Sequence, residues 1–131
     1  MISTRGRYAI RVMLDIANNQ SEGYVPMSEV AKRQGLSLKY LEQILPVLTQ
    51  NGLLKGVKGK GGGYCLTREP GEYPIGEILR LTEKSLTTVS CLSEDAPECE
   101  RRSECKTFEF WKGLDDLVND YIDSRTLGDL L

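Results

Sequence analysis

Two predicted helices separated by a glycine constrain the fold of this chain more than any other feature. Ser28 can cap a short helix over residues 29–34, and Gly35 follows in the position that glycine prefers after a helix. Ser37 can then cap a longer helix that stops at Asn51 and Gly52. Apolar residues recur in it at helical spacing: Tyr40, Leu41, Ile44, Leu45 and Leu48. This order is typical of a helix-turn-helix.

A basic, glycine-rich segment directly follows the second of these helices. Residues 53–58 and 64–67 can form two strands, and residues 59–63 the tip between them. Glycines at the tip permit the positive φ angles of a tight hairpin and let backbone N–H groups approach a phosphate closely. Lys58 and Lys60 add positive charge there. A β-hairpin after a helix-turn-helix is a winged helix, so we predict a mainly α-helical fold with a small β-hairpin wing.

Three further helices are predicted around this unit. One runs from Thr4 to about residue 18, one from Pro74 to about residue 83, and a longer one starts at Thr107. Residues 126–129 have the pattern of a cap that opens a final short turn. We divide the chain into a winged-helix domain (residues 1–83), a cysteine segment (residues 84–106) and a C-terminal region with the long helix and the final turn (residues 107–131).

The long C-terminal helix carries a large apolar face outside the small winged-helix core. Its members are spaced by three and four residues over roughly four turns: Phe108, Trp111, Leu114, Leu117, Val118, Tyr121 and Ile122. This face either folds back on the N-terminal domain of the same chain or forms a dimer interface. We favour dimerisation, because most helix-turn-helix proteins bind two half-sites as two-fold dimers.

Charge is distributed unevenly along the chain. Residues 1–68 contain ten Lys and Arg against four Asp and Glu, a balance of +6, whereas residues 69–131 contain seven against fifteen, a balance of −8. A basic half joined to an acidic half suggests a polyanion-binding module fused to a part that does not bind polyanions. For a winged helix, the expected polyanion is double-stranded DNA.

The second helix of a helix-turn-helix presents its first residues to base edges. Gln43 can make a bidentate contact to adenine, and Glu42 can accept a hydrogen bond from a cytosine amine or orient a neighbouring cation. Lys39 can reach guanine or a phosphate, whereas Tyr40 fits the core or a phosphate better than a base. The candidate recognition residues are therefore Ser37, Lys39, Tyr40, Glu42 and Gln43.

Two other parts of the chain are candidates for backbone contacts with DNA. At the wing, Lys58, Gly59 and Lys60 are expected at the minor groove or its phosphates. At the N-terminus, Ser3, Arg5 and Arg7 are expected at phosphates.

Cys91, Cys99 and Cys105 lie within fifteen residues of a polar, acidic segment in a chain without histidine. Cysteines clustered in an irregular segment bind metal, form disulfides or sense redox state. Any metal here is held by thiolate, with a carboxylate, a backbone group, a partner subunit or an external ligand completing the site. The C-x-x-C spacing typical of structural zinc sites is missing. A zinc-stabilised winged helix and a metal-free thiol sensor remain two of the functions that this cysteine cluster allows. Cys65 is expected to face inward in the wing.

The sequence predicts a cytoplasmic protein without enzymatic activity. No apolar run approaches the roughly 20 residues that span a membrane, and the N-terminus lacks the pattern of a cleaved signal peptide. Thiols stay reduced in the cytosol, which argues against a disulfide framework. The chain has no nucleophile motif, and its glycine run lacks the Gly-Lys-Ser/Thr ending of a nucleotide-binding loop.

Four motifs together resemble the IscR/NsrR/CymR family of bacterial winged-helix regulators, also called the Rrf-two family. They are STRGRYAIRVMLDIA at the start, QGLSLKYLEQ across the helix-turn-helix, KGKGGGYCL at the wing and TLGDLL at the end. The resemblance covers nearly the whole chain. It implies a homodimer that binds an imperfect palindrome of double-stranded DNA, with the long C-terminal helix crossing to the other subunit.

In the cluster-binding branch of that family, three cysteines of this segment hold an iron–sulfur cluster, and the resemblance carries this role to Cys91, Cys99 and Cys105. Two irons or four are both compatible with it. This chain has a longer spacing between the first two cysteines than IscR-like members, and Phe108 stands where they have a histidine ligand. The fourth ligand stays open among a small thiol, a group of the partner chain, and the carboxylates of Glu98, Glu104 and Glu109.

The resemblance also implies a switch and a further partner. A bound cluster is expected to order residues 90–106, which are too polar to pack unaided, and to rotate the winged helices through the long helix. Cluster loss through oxygen, nitric oxide or iron shortage would reverse this. The machinery that assembles iron–sulfur clusters is then a partner, besides DNA and a second copy of the chain.

Overall fold

Five α-helices and one β-hairpin form the fold in the computed structural model of the chain, which describes residues 2–131. In chain order they are α1 (Thr4–Asn19), α2 (Met27–Gln34), α3 (Leu38–Gln50), β1 (Leu54–Val57), β2 (Gly63–Leu66), α4 (Ile75–Thr82) and α5 (Phe108–Ser124). The predicted fold class, a winged helix-turn-helix followed by a long C-terminal helix, is confirmed. Within residues 2–131, none of the helices combines the length and apolar character that a membrane span requires.

The helix ends follow the predicted capping residues, except at the start of α2. Ser37 caps α3 through its hydroxyl, which accepts a hydrogen bond from the Tyr40 N–H at 3.0 Å. Gly35 ends α2 in the left-handed region at φ 67°. The prediction that Ser28 caps α2 is wrong, because Pro26 occupies the N-cap position. Proline fixes its own φ and has no N–H to satisfy, so it can stand directly before a first turn.

The hydrophobic core lies between α1, the helix-turn-helix and α4, and one charged side chain is buried in it. Asp15 in α1 is 4% exposed. Its carboxylate accepts hydrogen bonds from the Arg33 guanidinium at 2.8 and 3.0 Å and from the Gln34 amide at 2.9 Å. These bonds satisfy the buried charge and hold the end of α2 against α1.

The wing is an antiparallel hairpin that the loop before α2 extends at one edge. The strands pair in register, with Leu54 opposite Leu66. Val25 bridges to Tyr64 through two backbone hydrogen bonds of 2.8 and 2.9 Å. Glycine is required at position 63, because Gly63 has a φ of 147° and a Cβ there would overlap the Val25 carbonyl. The hairpin is therefore attached to the helical core at its returning strand.

A final short turn, Leu127–Leu130, completes the core. Thr126 and Asp129 form the predicted capping box, in which each side chain accepts a hydrogen bond from the backbone N–H of the other, at 3.3 and 2.9 Å. Leu127 is fully buried, and its N–H donates to the Tyr73 carbonyl at 2.9 Å. The turn thus belongs to the same core as α1 and α4, although it follows α5 in sequence.

Candidate nucleic-acid interface and cysteine site

The start of α3 presents polar side chains to solvent while its other face is buried. Lys39, Glu42 and Gln43 are exposed. The buried face holds Leu41, Ile44, Leu45 and Leu48. Ser37 is also exposed, but its hydroxyl is engaged as the helix cap. The exposed side chains lie at the N-terminal end of α3, which is the end that meets base edges in helix-turn-helix proteins.

Tyr40 lies at the boundary between α3 and α1. Its half-buried ring meets the Tyr8 ring edge-on, with the ring centroids 5.6 Å apart. The Arg11 guanidinium lies 4.9 Å from the centroid of the Tyr8 ring and donates to the backbone and side-chain oxygens of Gln34 at 2.6 and 3.1 Å. These contacts bring the first half of α1 alongside the start of the recognition helix.

The wing tip is basic and accessible. Lys58, Gly59 and Lys60 are all exposed. Gly59 and Gly61 adopt φ angles of 94° and 77°, which turn the chain in a way that side chains disfavour. Both ammonium groups and the neighbouring backbone N–H groups can therefore reach a polyanion.

The N-terminus of α1 carries the third group of candidate DNA contacts. Ser3, Arg5 and Arg7 are exposed, and the Ser3 hydroxyl caps the helix at the Gly6 N–H. The backbone N–H and the hydroxyl of Ser3 both donate to one carboxylate oxygen of Glu83, at 2.7 and 2.8 Å. The N-terminus of α1 is thus joined to the residue directly before the cysteine segment.

Cys91, Cys99 and Cys105 line one cavity of about 450 Å³ in the cysteine segment. All three are exposed and none is in a disulfide. Cys91 lies in a short 3-10 turn, and Cys105 directly follows a second such turn at Arg102–Glu104. The structure therefore brings the three predicted thiols to one cavity, while Cys65 lies half-buried in β2.

Three cysteine thiols are suitable ligands for an iron–sulfur cluster, but in this structure they are not grouped around one point. Thiolate sulfur is the usual ligand of such clusters. Within residues 2–131, no three Cys, Asp or Glu side chains are grouped in a way that could hold a metal ion. Holding one metal centre among these thiols would require them to come closer together than they are in this structure.

A threonine favours the thiolate form of Cys105. The side chain of Thr107 lies 3.4 Å from the Cys105 sulfur. This hydrogen bond, together with the backbone N–H groups of Thr107 and Phe108, lowers the pKa of the Cys105 thiol below its ordinary value. The thiolate is the form of cysteine that binds metal and reacts with oxidants.

Phe108, which stands where IscR-like members of the family have a histidine ligand, lines the same cavity. The Arg102 guanidinium lies 4.3 Å from the centroid of its ring and lines the cavity as well. Of the carboxylates considered as a fourth ligand, Glu98 lines the cavity, whereas Glu104 and Glu109 are not part of its lining. Glu98 is therefore the carboxylate beside the thiols.

Polar contacts tie the cysteine segment and α5 to the rest of the chain. The Asp115 carboxylate accepts a hydrogen bond from the Thr88 N–H at 2.9 Å. Arg80 in α4 donates to both carboxylate oxygens of Asp123, at 2.6 and 2.9 Å, and to the side chain of Asn119 at 3.0 Å. This pairing lowers the pKa of the Asp123 carboxyl. Helix α5 thus lies against α4 through side chains that remain partly exposed.

The apolar residues of α5 separate into two stripes. The inner stripe is half-buried and consists of Phe108, Trp111, Val118 and Ile122. The outer stripe is exposed, with Phe110 at 66%, Leu114 at 39%, Leu117 at 69% and Tyr121 at 62%. The apolar face predicted from the sequence combined residues of both stripes and omitted Phe110. Its spacing of four, seven and eleven residues from Leu114, Leu117 and Tyr121 would have assigned it to the outer stripe. An exposed apolar stripe of this kind marks an interaction surface.

A polar recognition helix, a basic wing and a long helix outside the core define a winged helix-turn-helix transcriptional regulator. Residues 2–131 match the family described as "Rrf2: Iron-dependent Transcriptional regulator", and the chain belongs to that family. The resemblance read from the sequence motifs is thereby confirmed. The relatives are named as transcriptional regulators, so the protein is not an enzyme.

The similarity extends over the whole chain. The HTH-type transcriptional regulator IscR of Cronobacter sakazakii is 36% identical over 130 residues, which are 99% of this chain and 79% of the relative. CymR, the global cysteine regulator of B. subtilis, has a structure with a TM-score of 0.80 at 35% identity, covering 99% of this chain and 95% of that one. The IscR of T. potens has a TM-score of 0.77 at 36% identity, covering 99% and 85%.

Proposed function

We propose that this protein is a homodimeric regulator that binds palindromic operator DNA in the cytoplasm and responds to an iron–sulfur cluster held by Cys91, Cys99 and Cys105. The observation that carries the proposal is the cavity shared by the three thiols, which lies in the segment that joins α4 to α5. Similarity to proteins named IscR and to a family described as iron-dependent supports it.

The exposed start of α3 is the base-reading part of the proposal. Gln43 presents an amide that can pair with adenine, and Glu42 accepts from a cytosine amine or rejects other bases. Lys39 at the same end reaches guanine or a phosphate. The wing residues Lys58 and Lys60 bind phosphates beside the minor groove and add affinity that does not depend on sequence.

The outer stripe of α5 is the proposed contact with a second copy of the chain. A two-fold dimer buries the same stripe of both protomers: Phe110, Leu114, Leu117 and Tyr121. The inner stripe, with Phe108, Trp111, Val118 and Ile122, then supports the helix from its own side. Two recognition helices related by the two-fold axis read half-sites about 34 Å apart, which matches a palindromic operator.

The cluster is proposed to act through the segment that carries its ligands. When bound, it supplies an oxidant-sensitive link among three thiolates, loaded through the machinery that assembles such clusters. Cys91 lies in one short turn and Cys105 directly follows the other, so holding both would fix the turns relative to α5. Glu98 or a ligand from outside the chain completes the site, since Phe108 cannot ligate.

Anaerobic purification with metal and sulfide analysis tests the cofactor. We expect a brown protein that contains iron and acid-labile sulfide and has visible absorption. Alanine variants of Cys91, Cys99 and Cys105 should each lose the colour, while Cys65→Ala, a matched cysteine outside the cavity, should keep it. A colourless wild-type protein with stoichiometric zinc would instead support the zinc-stabilised alternative.

DNA binding with and without the cluster tests the switch. Operators are selected from a random duplex library with the loaded protein and with the cluster-free protein, and affinities are compared at one fixed salt concentration. We expect the two forms to differ in affinity for at least one selected operator. Equal affinities for every selected sequence would refute cluster sensing but leave DNA binding intact.

A metal-free thiol sensor is the second candidate, and the environment of Cys105 favours it. The Thr107 hydrogen bond that lowers the pKa of this exposed thiol also makes it more reactive toward peroxide. If this candidate is correct, metal-free protein changes its DNA affinity on peroxide treatment, and Cys105→Ser abolishes the change.

A further inference from the structure

One carboxylate joins the end of α4 to the beginning of α1. Glu83 accepts hydrogen bonds from the backbone N–H and the hydroxyl of Ser3, at 2.7 and 2.8 Å, across 80 residues of sequence. The Ser3 hydroxyl also accepts from the Gly6 N–H at 3.4 Å. The carboxylate, the serine and the first turn of α1 therefore form one hydrogen-bonded unit.

The residue at position 6 is adapted to this contact. A Cβ on Gly6 would overlap the same carboxylate oxygen of Glu83 and lie 3.1 Å from the side chain of Leu79. Glycine inside a helix is unfavourable by its own propensity, so the close approach of α4 accounts for its presence. Gly6 is buried, which agrees with a tight contact between the two helices.

The electrostatics of the contact are favourable. The N-terminus of a helix carries partial positive charge from its unpaired N–H groups. Helix α1 has no acidic residue in its own first turn, so Glu83 supplies the compensating negative charge from α4. Arg5 and Arg7 lie in the same turn and are exposed.

We propose that Glu83 is a positioning residue for DNA binding, because it fixes the N-terminus of α1 so that Arg5 and Arg7 meet DNA phosphates. Ser3 serves this contact and not a phosphate, because its N–H and its hydroxyl both donate to Glu83. The inference rests on the proposed DNA binding and on the expectation from the sequence that Arg5 and Arg7 contact phosphate. Glu83 does not itself contact DNA, since its carboxylate repels phosphate and is directed to Ser3. It is also the last residue before the cysteine segment, so a change in that segment reaches α1 by a short route.

The salt dependence of DNA binding tests this role in Glu83→Ala. Affinity for a labelled duplex of random sequence, about 30 base pairs long so that it spans two half-sites, is measured by fluorescence anisotropy at several KCl concentrations. Each phosphate contact adds about −0.9 to the log–log slope. We expect the slope of the variant to be shallower by about one to two for each protomer, and its affinity at low salt to be lower.

Three control variants separate positioning from other effects. Glu69→Ala removes one exposed negative charge elsewhere in the same domain and should leave the slope unchanged. Glu83→Gln keeps an oxygen that can accept from Ser3 and should stay close to wild type. Gly6→Ala displaces the carboxylate without altering Glu83, so it should reproduce the shallow slope. It replaces Glu83→Ala as the test variant if Glu83→Ala fails to fold.

The possible outcomes distinguish this inference from the proposed function. If Glu83→Ala or Gly6→Ala loses thermal stability but keeps the wild-type slope, the contact is structural only and the inference is wrong. A slope as shallow in Glu69→Ala as in Glu83→Ala would also overturn it. A wild-type protein without salt-dependent DNA binding would overturn the proposed function, and this inference with it.

Discussion

Tyr73 donates its hydroxyl hydrogen to the carbonyl oxygen of Leu53 at 2.8 Å, which joins the residue before the α4 cap to the residue before β1. The same hydroxyl oxygen accepts hydrogen bonds from the backbone N–H groups of Thr67 and Arg68, at 2.8 and 3.0 Å. The Tyr73 side chain is fully buried. One buried hydroxyl therefore links the chain entering the wing to the chain leaving it.

Tyr73→Phe is expected to lower the free energy of unfolding by about 1–3 kcal/mol, because a carbonyl and two N–H groups lose their buried partner. Urea denaturation followed by circular dichroism measures the change. Tyr24→Phe, which removes a hydroxyl from a half-buried tyrosine outside the hydrophobic core, is the matched control and should unfold at the wild-type midpoint. Equal midpoints for the two variants would contradict the linking role of Tyr73.

Gln43→Ala is expected to relax sequence preference at one base pair in each half-site. The amide of Gln43 is exposed at the start of α3, and a bidentate contact to adenine discriminates by about 1–3 kcal/mol. Affinities for an operator and its single-base variants measure this. The base-reading role is wrong if the variant weakens operator and random DNA by the same factor.

Lys58→Ala is expected to weaken binding to every sequence by a similar factor. Its ammonium lies at the exposed wing tip and is proposed to contact one phosphate, so the log–log salt slope should become shallower by about 0.9 for each protomer. Titrations of operator and random duplex across a salt series measure both quantities. Loss of discrimination between the two duplexes would assign Lys58 to base reading instead.

Leu117→Glu is expected to convert the proposed dimer to monomer. Leu117 is the most exposed member of the outer stripe, at 69%, and a charge there must be desolvated against the partner. Sedimentation velocity measures the oligomeric state. Leu38→Glu makes the same change at another exposed leucine, 47% exposed on α3, and should remain dimeric. Dimers in both variants would refute the assigned interface.

Removing the carboxylate of Asp123 is expected to lower the free energy of unfolding at neutral pH but not in acid. Hydrogen bonding to Arg80 lowers the pKa of Asp123 from the ordinary 3.8. A lowered folded pKa stabilises the protein above the unfolded pKa, and this stability is lost as pH falls through the folded pKa. The two side chains are 43% and 47% exposed, so the effect is small.

The measurement compares urea midpoints of wild type and Asp123→Asn at neutral pH and at a series of decreasing pH values. The variant should be less stable at neutral pH, and the difference should vanish in acid. Asp120→Asn, at an exposed aspartate of the same helix, controls for the substitution itself. A difference that widened as pH fell would contradict the assigned direction.

The parts of the fold that the sequence predicted correctly depend on residues acting within a few positions. Gly35 and Ser37 mark the turn between the two helices by their own backbone and side-chain chemistry, and Thr126 with Asp129 forms its cap locally. The start of α2 was misplaced because Ser28 and Pro26 are both plausible starts on local grounds. The closeness of the three cysteines in sequence also predicted that they form a group, and in the structure they line one cavity.

The parts that the sequence did not predict depend on how distant elements meet. The rotation of α5 decides that Phe110 is exposed and Val118 is half-buried, and this rotation is set by contacts with α4. The partner of Asp15, Arg33, is 18 residues away in sequence, so local spacing does not indicate that this acid is buried. Glu83 likewise gains its partner only when the end of α4 reaches the start of α1.

The burial of Leu127 has a consequence for how this chain is made. Synthesis proceeds at about 5–20 residues per second, so the helix-turn-helix emerges from the ribosome several seconds before the residue that fills its core. Until then, the nascent domain exposes the apolar site that Leu127 will occupy. The backbone carbonyl of Tyr73 also lacks its hydrogen-bond donor, the Leu127 N–H. The winged helix therefore reaches its final packing only after the cysteine segment has been translated, so a newly made chain does not present a finished winged helix without that segment.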